Sequence, residues 1–186
     1  MTEALLVMDY QLGIVERFSE RGLRALERVN TAIASARARG VMVIFVRVAF
    51  RPGAPEVSSR NVGFYALTRT PGWEESASST SLHPQLDIGG SDVVVVKRRV
   101  SAFVGSDLEV VLRGAGITHL ALAGISTSGV VLSTVRAAAD MDFVITVLHD
   151  ACVDADEDVH RTLMEKVFPR QATVTTVDDW RSLTRE

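Results

Sequence analysis

Hydrophobic positions along this chain fall into two alternating patterns. Short unbroken aliphatic runs occupy residues 4–9 (ALLVMD), 41–48 (VMVIFVRV), 92–96, 119–123, 143–148 and 172–177. Runs of this length with no polar face are what strands covered on both sides look like. Between them lie stretches with helical periodicity. Residues 19–39 carry Leu23, Leu26, Val29, Ile33 and Ala36 at that spacing and end at Gly40, a C-terminal cap. Ser106, Asp107 and Glu109 read as a capping box opening a helix that runs to Arg113, closed by Gly114 and Gly116. Val131, Val135 and Ala138 mark a helix reaching about residue 141, and another extends from about 156 to 167, stopped near Pro169.

Six strands alternating with helices predict a doubly wound, Rossmann-like α/β fold: a six-stranded parallel sheet with helices on both faces, a three-layer sandwich. The 186 residues suit one domain, 1–186. Only 51–80 lacks a sustained period, and it holds Pro52, Gly53, Pro55, Pro71 and Gly72 along with the aromatics Phe64, Tyr65 and Trp73. A loop that long in a compact domain reads as a lid or binding segment.

Composition narrows the classes of partner. The net charge is −3, with no basic stripe interleaved with aromatics, so nucleic acid is not expected. Neither a secretory leader nor an apolar run of about 20 residues is visible, so the expectation is a cytoplasmic protein without a membrane partner. One cysteine, Cys152, permits no intrachain disulfide and no cysteine-based metal cluster, and reads first as a small buried hydrophobe. His83, His119, His149 and His160 fall in no metal-ligand spacing, so no metal is expected. His149 with Asp150, at the end of the fifth run, is the histidine expected closest to the crevice.

Chemistry gathers at strand ends. In open α/β sheets ligands sit at the carboxyl edge, where helix N-termini and turn amides face the crevice. Asp9 ends the first run, Lys97 the third, and the turn 124–130 (GISTSGV) follows the fourth. Only two of the 20 basic side chains are lysines, Lys97 and Lys166, so an amine at a strand end stands out. If the three strands are neighbours, Asp9 and Lys97 meet, either as a structural ion pair or as a carboxylate poised for proton transfer beside an amine that steers a substrate oxygen. The turn has the outline of a phosphate loop, but Val130 and Val131 stand where that motif needs Lys and Ser or Thr. Its hydroxyls, Ser126, Thr127 and Ser128, read as caps, with no base in the local sequence to activate a serine.

Together these residues resemble the isochorismatase-like superfamily, the cysteine hydrolases, over nearly the whole chain. The matching pieces are D-x-Q at Asp9 and Gln11, the segment KRRVSAFVGSDL against the family's K-x-x-x-S-x-F, and GISTSGVVLST against G-[IV]-x-T-D-x-C-V-x-x-T. The resemblance implies Asp9 and Lys97 as catalytic residues and a cis peptide between Ile125 and Ser126. It also implies oxygen binding by the turn at Ile125, Ser126, Ser128, Gly129 and Val130, with Gln11 and Phe103 as further substrate contacts. Val130 falls on the family's nucleophile position, and Ser128 replaces the turn's aspartate. True isochorismatases also lack that cysteine, having a glycine there, whereas here the glycine, Gly129, comes one residue early.

The implied protein is a cofactor-free hydrolase of a cysteine-less kind. Asp9 acts as general acid or base assisted by Lys97, and water adds to a small carboxylate-bearing molecule. A homodimer or homotetramer is implied, in which aromatics of the long loop cover a neighbour's site. Two other readings stay open: a catalytically silent small-molecule binder that keeps the pocket, and nucleophilic catalysis through Ser128 or Cys152.

Overall fold

The computed structural model describes residues 2–182. β1 (Glu3–Met8) leads through one helical turn, α1 (Leu12–Val15), into the long α2 (Ser19–Ala38) and then β2 (Met42–Val48). A short α3 (Val62–Thr68) lies in the long loop before β3 (Val93–Lys97) and α4 (Leu108–Gly114). β4 (His119–Ile125) feeds a wide π-type turn, Thr127–Val131, which runs directly into α5 (Leu132–Asp140). β5 (Val144–Val153), α6 (Glu157–Thr162), β6 (Thr173–Thr175) and α7 (Val177–Ser182) complete the described chain. The strands form one parallel sheet in the order β3-β2-β1-β4-β5-β6, which is the expected fold.

Two cores sandwich the sheet, and β1 shows how alternation builds them. Ala4, Leu6 and Met8 point to one face, where they meet Leu108 and Leu112 of α4 and Val135 and Ala138 of α5. Leu5 and Val7 point to the other, against Leu26, Val29 and Ile33 of α2 and against Trp180 of α7. Successive strand residues face opposite sides, so a strand buried on both must be apolar throughout. All six residues of β1 are buried.

Several expectations are corrected. The fifth strand does not stop at Leu148 but continues to Val153. Its register against β4 jumps from Leu122↔Val147 to Gly124↔Cys152, so the polar pair His149–Asp150 belongs to a bulge that looks like a strand end in sequence. Cys152 therefore lies inside the strand. The sixth strand is shorter than 172–177, and Val177 instead opens α7, whose Trp180 is fully buried. Its indole donates to Glu3 Oε1 at 3.2 Å and lies under the Arg39 guanidinium, which is 4.2 Å from the ring centroid. The stretch expected as a helix over 156–167 starts at Glu157, N-capped by Asp156, and widens to a π-type turn at Leu163–Val167. The capping box does not form as read: Ser106 Oγ accepts from Leu108 N at 3.3 Å, while Glu109 pairs with Arg113 at 3.7 Å.

The long loop 51–80 is not an open lid. Phe64 and Trp73 pack with Val48 and Phe50 into a small third core, with the Phe50 and Phe64 rings edge to face at 5.6 Å. These two aromatics thus cover their own chain, while Tyr65 stays about one-third exposed, at 38%. Among the described residues no helix is long and apolar enough to cross a membrane.

Candidate active site

The strand order places β1 between β2 and β4, so the carboxyl ends of the central strands converge. Met8 is level with Gly124 on one side and Val46 on the other, and Val48 is level with Lys97. Asp9 is thereby carried to the foot of the turn that follows β4. It takes a left-handed backbone conformation, φ 60°, and its N–H donates to Val46 O at 2.8 Å, which bends the chain out of the sheet at this point.

Asp9 Oδ2 and Lys97 Nζ are 2.8 Å apart, and both side chains are almost wholly buried. Lys97 Nζ also donates to Arg99 O at 3.2 Å and Val100 O at 2.9 Å, so the loop after β3 curls around its own lysine. That loop is tied to α5, because Ala102 N donates to Thr134 Oγ1 at 3.0 Å. The other carboxylate oxygen, Asp9 Oδ1, is buried and has no hydrogen-bond partner among the described residues. Burial raises the Asp9 acid above the ordinary carboxylate range, and the charge and hydrogen bond of Lys97 only partly offset this. The result is an acid that keeps its proton to higher pH than a surface aspartate, with one oxygen unengaged.

The turn has the backbone form that the resemblance implies: the Ile125–Ser126 peptide is cis. At its start Gly124 fits a close approach, because a Cβ there would lie 3.0 Å from Val131 Cγ2 and 3.2 Å from both Met8 Cβ and Met8 O and would push these neighbours back by a few tenths of an ångström. Three amides of the turn are already engaged, among them Val131 N, which donates to Ser126 O at 3.3 Å. Ser128 N donates to Asp154 Oδ2 at 2.6 Å, and Gly129 N to Ser126 O at 3.2 Å. Val130 is buried and belongs to the apolar core that also contains Met8, Ala102 and Phe103.

Two expected substrate contacts turn out to be engaged elsewhere. Gln11 is fully buried; its Nε2 donates to Val48 O at 2.9 Å and Thr80 O at 2.8 Å, and its Oε1 accepts from Val48 N at 2.8 Å. Its amide therefore serves as a bracket for β2 and the end of the long loop. Phe103 is buried in the core and stacks on Phe143 with ring centroids 6.0 Å apart. Ser128 is exposed, and burial pushes the Cys152 thiol up to about 12, so it is a poor nucleophile. Among the described residues no group of three His, Cys, Asp or Glu side chains is placed to hold a metal ion.

The family model for the isochorismatase domain matches residues 3–179. The chain belongs to the isochorismatase family. It is 34% identical over 184 residues to the uncharacterized isochorismatase family protein YecD of Escherichia coli O157:H7, covering 96% of this chain and 94% of that one. An isochorismatase family protein of Burkholderia thailandensis shares the fold with a TM-score of 0.82 at 30% identity, over 96% of this chain and 93% of that one. Streptothricin hydrolase of Streptomyces noursei is 30% identical over 151 residues, which cover 80% of this chain and 49% of that enzyme.

In this isochorismatase-family chain, sequence reasoning missed the residues that brace the turn from behind. His160 Nδ1 and Thr127 Oγ1 are 2.8 Å apart, joining the first helical stretch after β5 to the turn, while Asp154 holds the Ser128 amide. The expectation had favoured His149 and Asp150. Asp150 pairs with Arg28 at 2.8 Å and accepts from Val177 N at 2.8 Å. The available signal was Asp156, a helix N-cap that fixes where α6 begins and hence places His160 on its first turns.

Proposed function

We propose that this chain is an isochorismatase-family hydrolase that adds water to a small molecule without a cysteine nucleophile. Val130 occupies the position that the resemblance assigns to the nucleophile, and the single cysteine lies in β5 with its thiol held protonated. Acid catalysis is the chemistry left to the pair. The observation that carries the reading is the buried Asp9–Lys97 contact at 2.8 Å beside an unengaged Asp9 Oδ1.

In the proposed reaction, protonated Asp9 gives its proton from Oδ1 to an electron-rich carbon or leaving oxygen of the substrate. Water adds to the resulting cation and returns a proton to Asp9; after protonation on carbon the hemiketal so formed breaks its C–O bond to an alcohol and a carbonyl compound, so one water is consumed and the acid is regenerated. Lys97 stabilises the carboxylate formed in between. With the Ser128, Gly129 and Val131 amides engaged, the oxygen-binding role falls to the other N–H groups of the turn, those of Ser126, Thr127 and Val130. A relative named streptothricin hydrolase supports hydrolysis as the reaction class.

The test is turnover of a panel of small vinyl ethers, esters and amides in ¹⁸O water, read by mass spectrometry. Wild type is expected to incorporate the label into at least one substrate, and Asp9→Asn to lose that by roughly 10²-fold or more, the usual worth of a general acid, with its circular dichroism unchanged. Equal rates in the two proteins would overturn the mechanism. Binding of panel members without any incorporation would favour the silent binder.

A further inference from the structure

A second charged cluster lies beside the lysine loop and takes no part in the reaction above. Arg51, Glu56, Arg98, Arg99, Val104 and Gly105 line a cavity of about 350 Å³. Its walls come from the segments that follow β2 and β3. Three guanidiniums and one carboxylate line it, and Glu75 beside it also pairs with Arg98, which leaves one positive charge in excess in a preformed hollow. Arginine stays charged at any working pH. Burial pushes the Glu56 acid up, but the Arg51 and Glu56 N–H groups and the charges of Arg98 and Arg51 outweigh it and hold the acid below its usual range. The excess therefore does not titrate away near neutrality.

The three arginines differ in how far their donors are engaged. Arg98 is only 12% exposed and is fixed by Ala49 O, Glu75 and Glu56. Arg99 donates through Nη1 to Arg98 O at 2.6 Å and through Nη2 to Glu56 O at 2.7 Å, which holds its fork in place while each of these nitrogens keeps a second hydrogen. Arg51 is 60% exposed, and its ion pair with Glu56 is long, at 3.7 Å. The cavity thus offers one anchored and one exposed guanidinium over a buried third. That arrangement suits an acceptor with two oxygens.

We propose that this cavity binds the oxyanion group of a small molecule, a carboxylate or a phosphate, through Arg51 and Arg99. Arg99 O is also an acceptor for Lys97 Nζ at 3.2 Å, so a ligand gripped by Arg99 bears on the peptide that holds the catalytic amine. The binding claim does not depend on the hydrolase reading.

The experiment is calorimetric titration of the full chain at constant ionic strength with inorganic phosphate in one arm and malonate in the other. Saturable binding is expected in at least one arm, and which arm saturates identifies the oxyanion. Arg51→Gln and Arg99→Gln should each weaken it at least tenfold. Arg24→Gln, on a different cavity lined by Arg21, Asp154 and His160, should leave it unchanged. Asp9→Asn should also retain it, so loss of turnover and loss of anion binding report separately on the two proposals. The inference is overturned if neither anion saturates, if both cavity variants bind like wild type, or if Arg24→Gln is the variant that loses binding.

Discussion

Lys97→Met tests the buried pair most directly. The substitution keeps the length of the side chain and removes the ammonium, so Asp9 Oδ2 loses its 2.8 Å partner while Oδ1 already has none. An uncompensated charge at this depth costs about 3–5 kcal/mol, and the side chains are 2% and 7% exposed, so solvent screening reduces that little. The carboxyl can escape the cost only by taking up a proton. The sign follows from the direction of the Asp9 shift. An acid raised in the folded state contributes stability that is complete below its unfolded value and is lost as pH climbs through its folded value. Without Lys97 the folded value rises further, so the decline extends to higher pH, with a slope of at most about 1.4 kcal/mol per pH unit for one proton. Urea unfolding followed through the buried Trp73 and Trp180 at pH 5 and pH 8 measures this. The variant should lose about 3–5 kcal/mol at pH 8 and distinctly less at pH 5. Combined with Asp9→Asn, it should show a coupling of at least about 1.5 kcal/mol at pH 8. A loss that does not change with pH, or a coupling under about 0.5 kcal/mol, would refute the reasoning.

Three further outcomes are expected. Trp180→Ala removes a fully buried indole that donates to Glu3 and stacks under Arg39, and should cost about 3–5 kcal/mol in chemical denaturation; a near-zero loss would mean that α7 contributes nothing to the fold. Because burial holds the Cys152 thiol at about 12, its alkylation by iodoacetamide at pH 7.5 should run about a thousandfold slower in the native protein than in urea, with rates compared by mass spectrometry. Equal rates would contradict that burial and reopen a role for the cysteine. Gln11→Leu removes the side-chain partner of the Val48 N–H and of the Val48 carbonyl, leaving Thr80 O with its second donor, Arg47 Nη1 at 3.1 Å, and should lower stability by at least about 2 kcal/mol in the same denaturation assay; an unchanged midpoint would show that the bracket is dispensable.

Much of this architecture is legible in the residues because its cause is local. β1, β2 and β4 announce themselves through runs too apolar for any half-exposed element, and α2 through one apolar stripe closed by Gly40, whose φ is +68°. The failures share a different cause. The strand end read at Leu148 is a bulge, and a bulge exists only relative to a partner strand. The aromatics at Phe64 and Trp73 look unanchored until Phe50 is brought beside them from the end of β2. Gln11 resembles a ligand contact in sequence, and nothing nearby shows that Val48 and Thr80 will claim its amide.

By itself, then, the sequence determined which segments are strands and helices, that the strands lie parallel between two layers, and that an acid, an amine and a glycine-started turn each stand at a strand's carboxyl end. Those properties follow from side-chain periodicity and from the backbone freedom of single residues, both of which act over a few positions. The tertiary structure alone decided that Asp9 and Lys97 touch, that Lys97 is held by the carbonyls behind it, that His160 and Asp154 brace the turn, and that three arginines surround one hollow. Each of these joins residues that the sheet order brings together from distant parts of the chain, and that order is settled by packing the whole molecule at once.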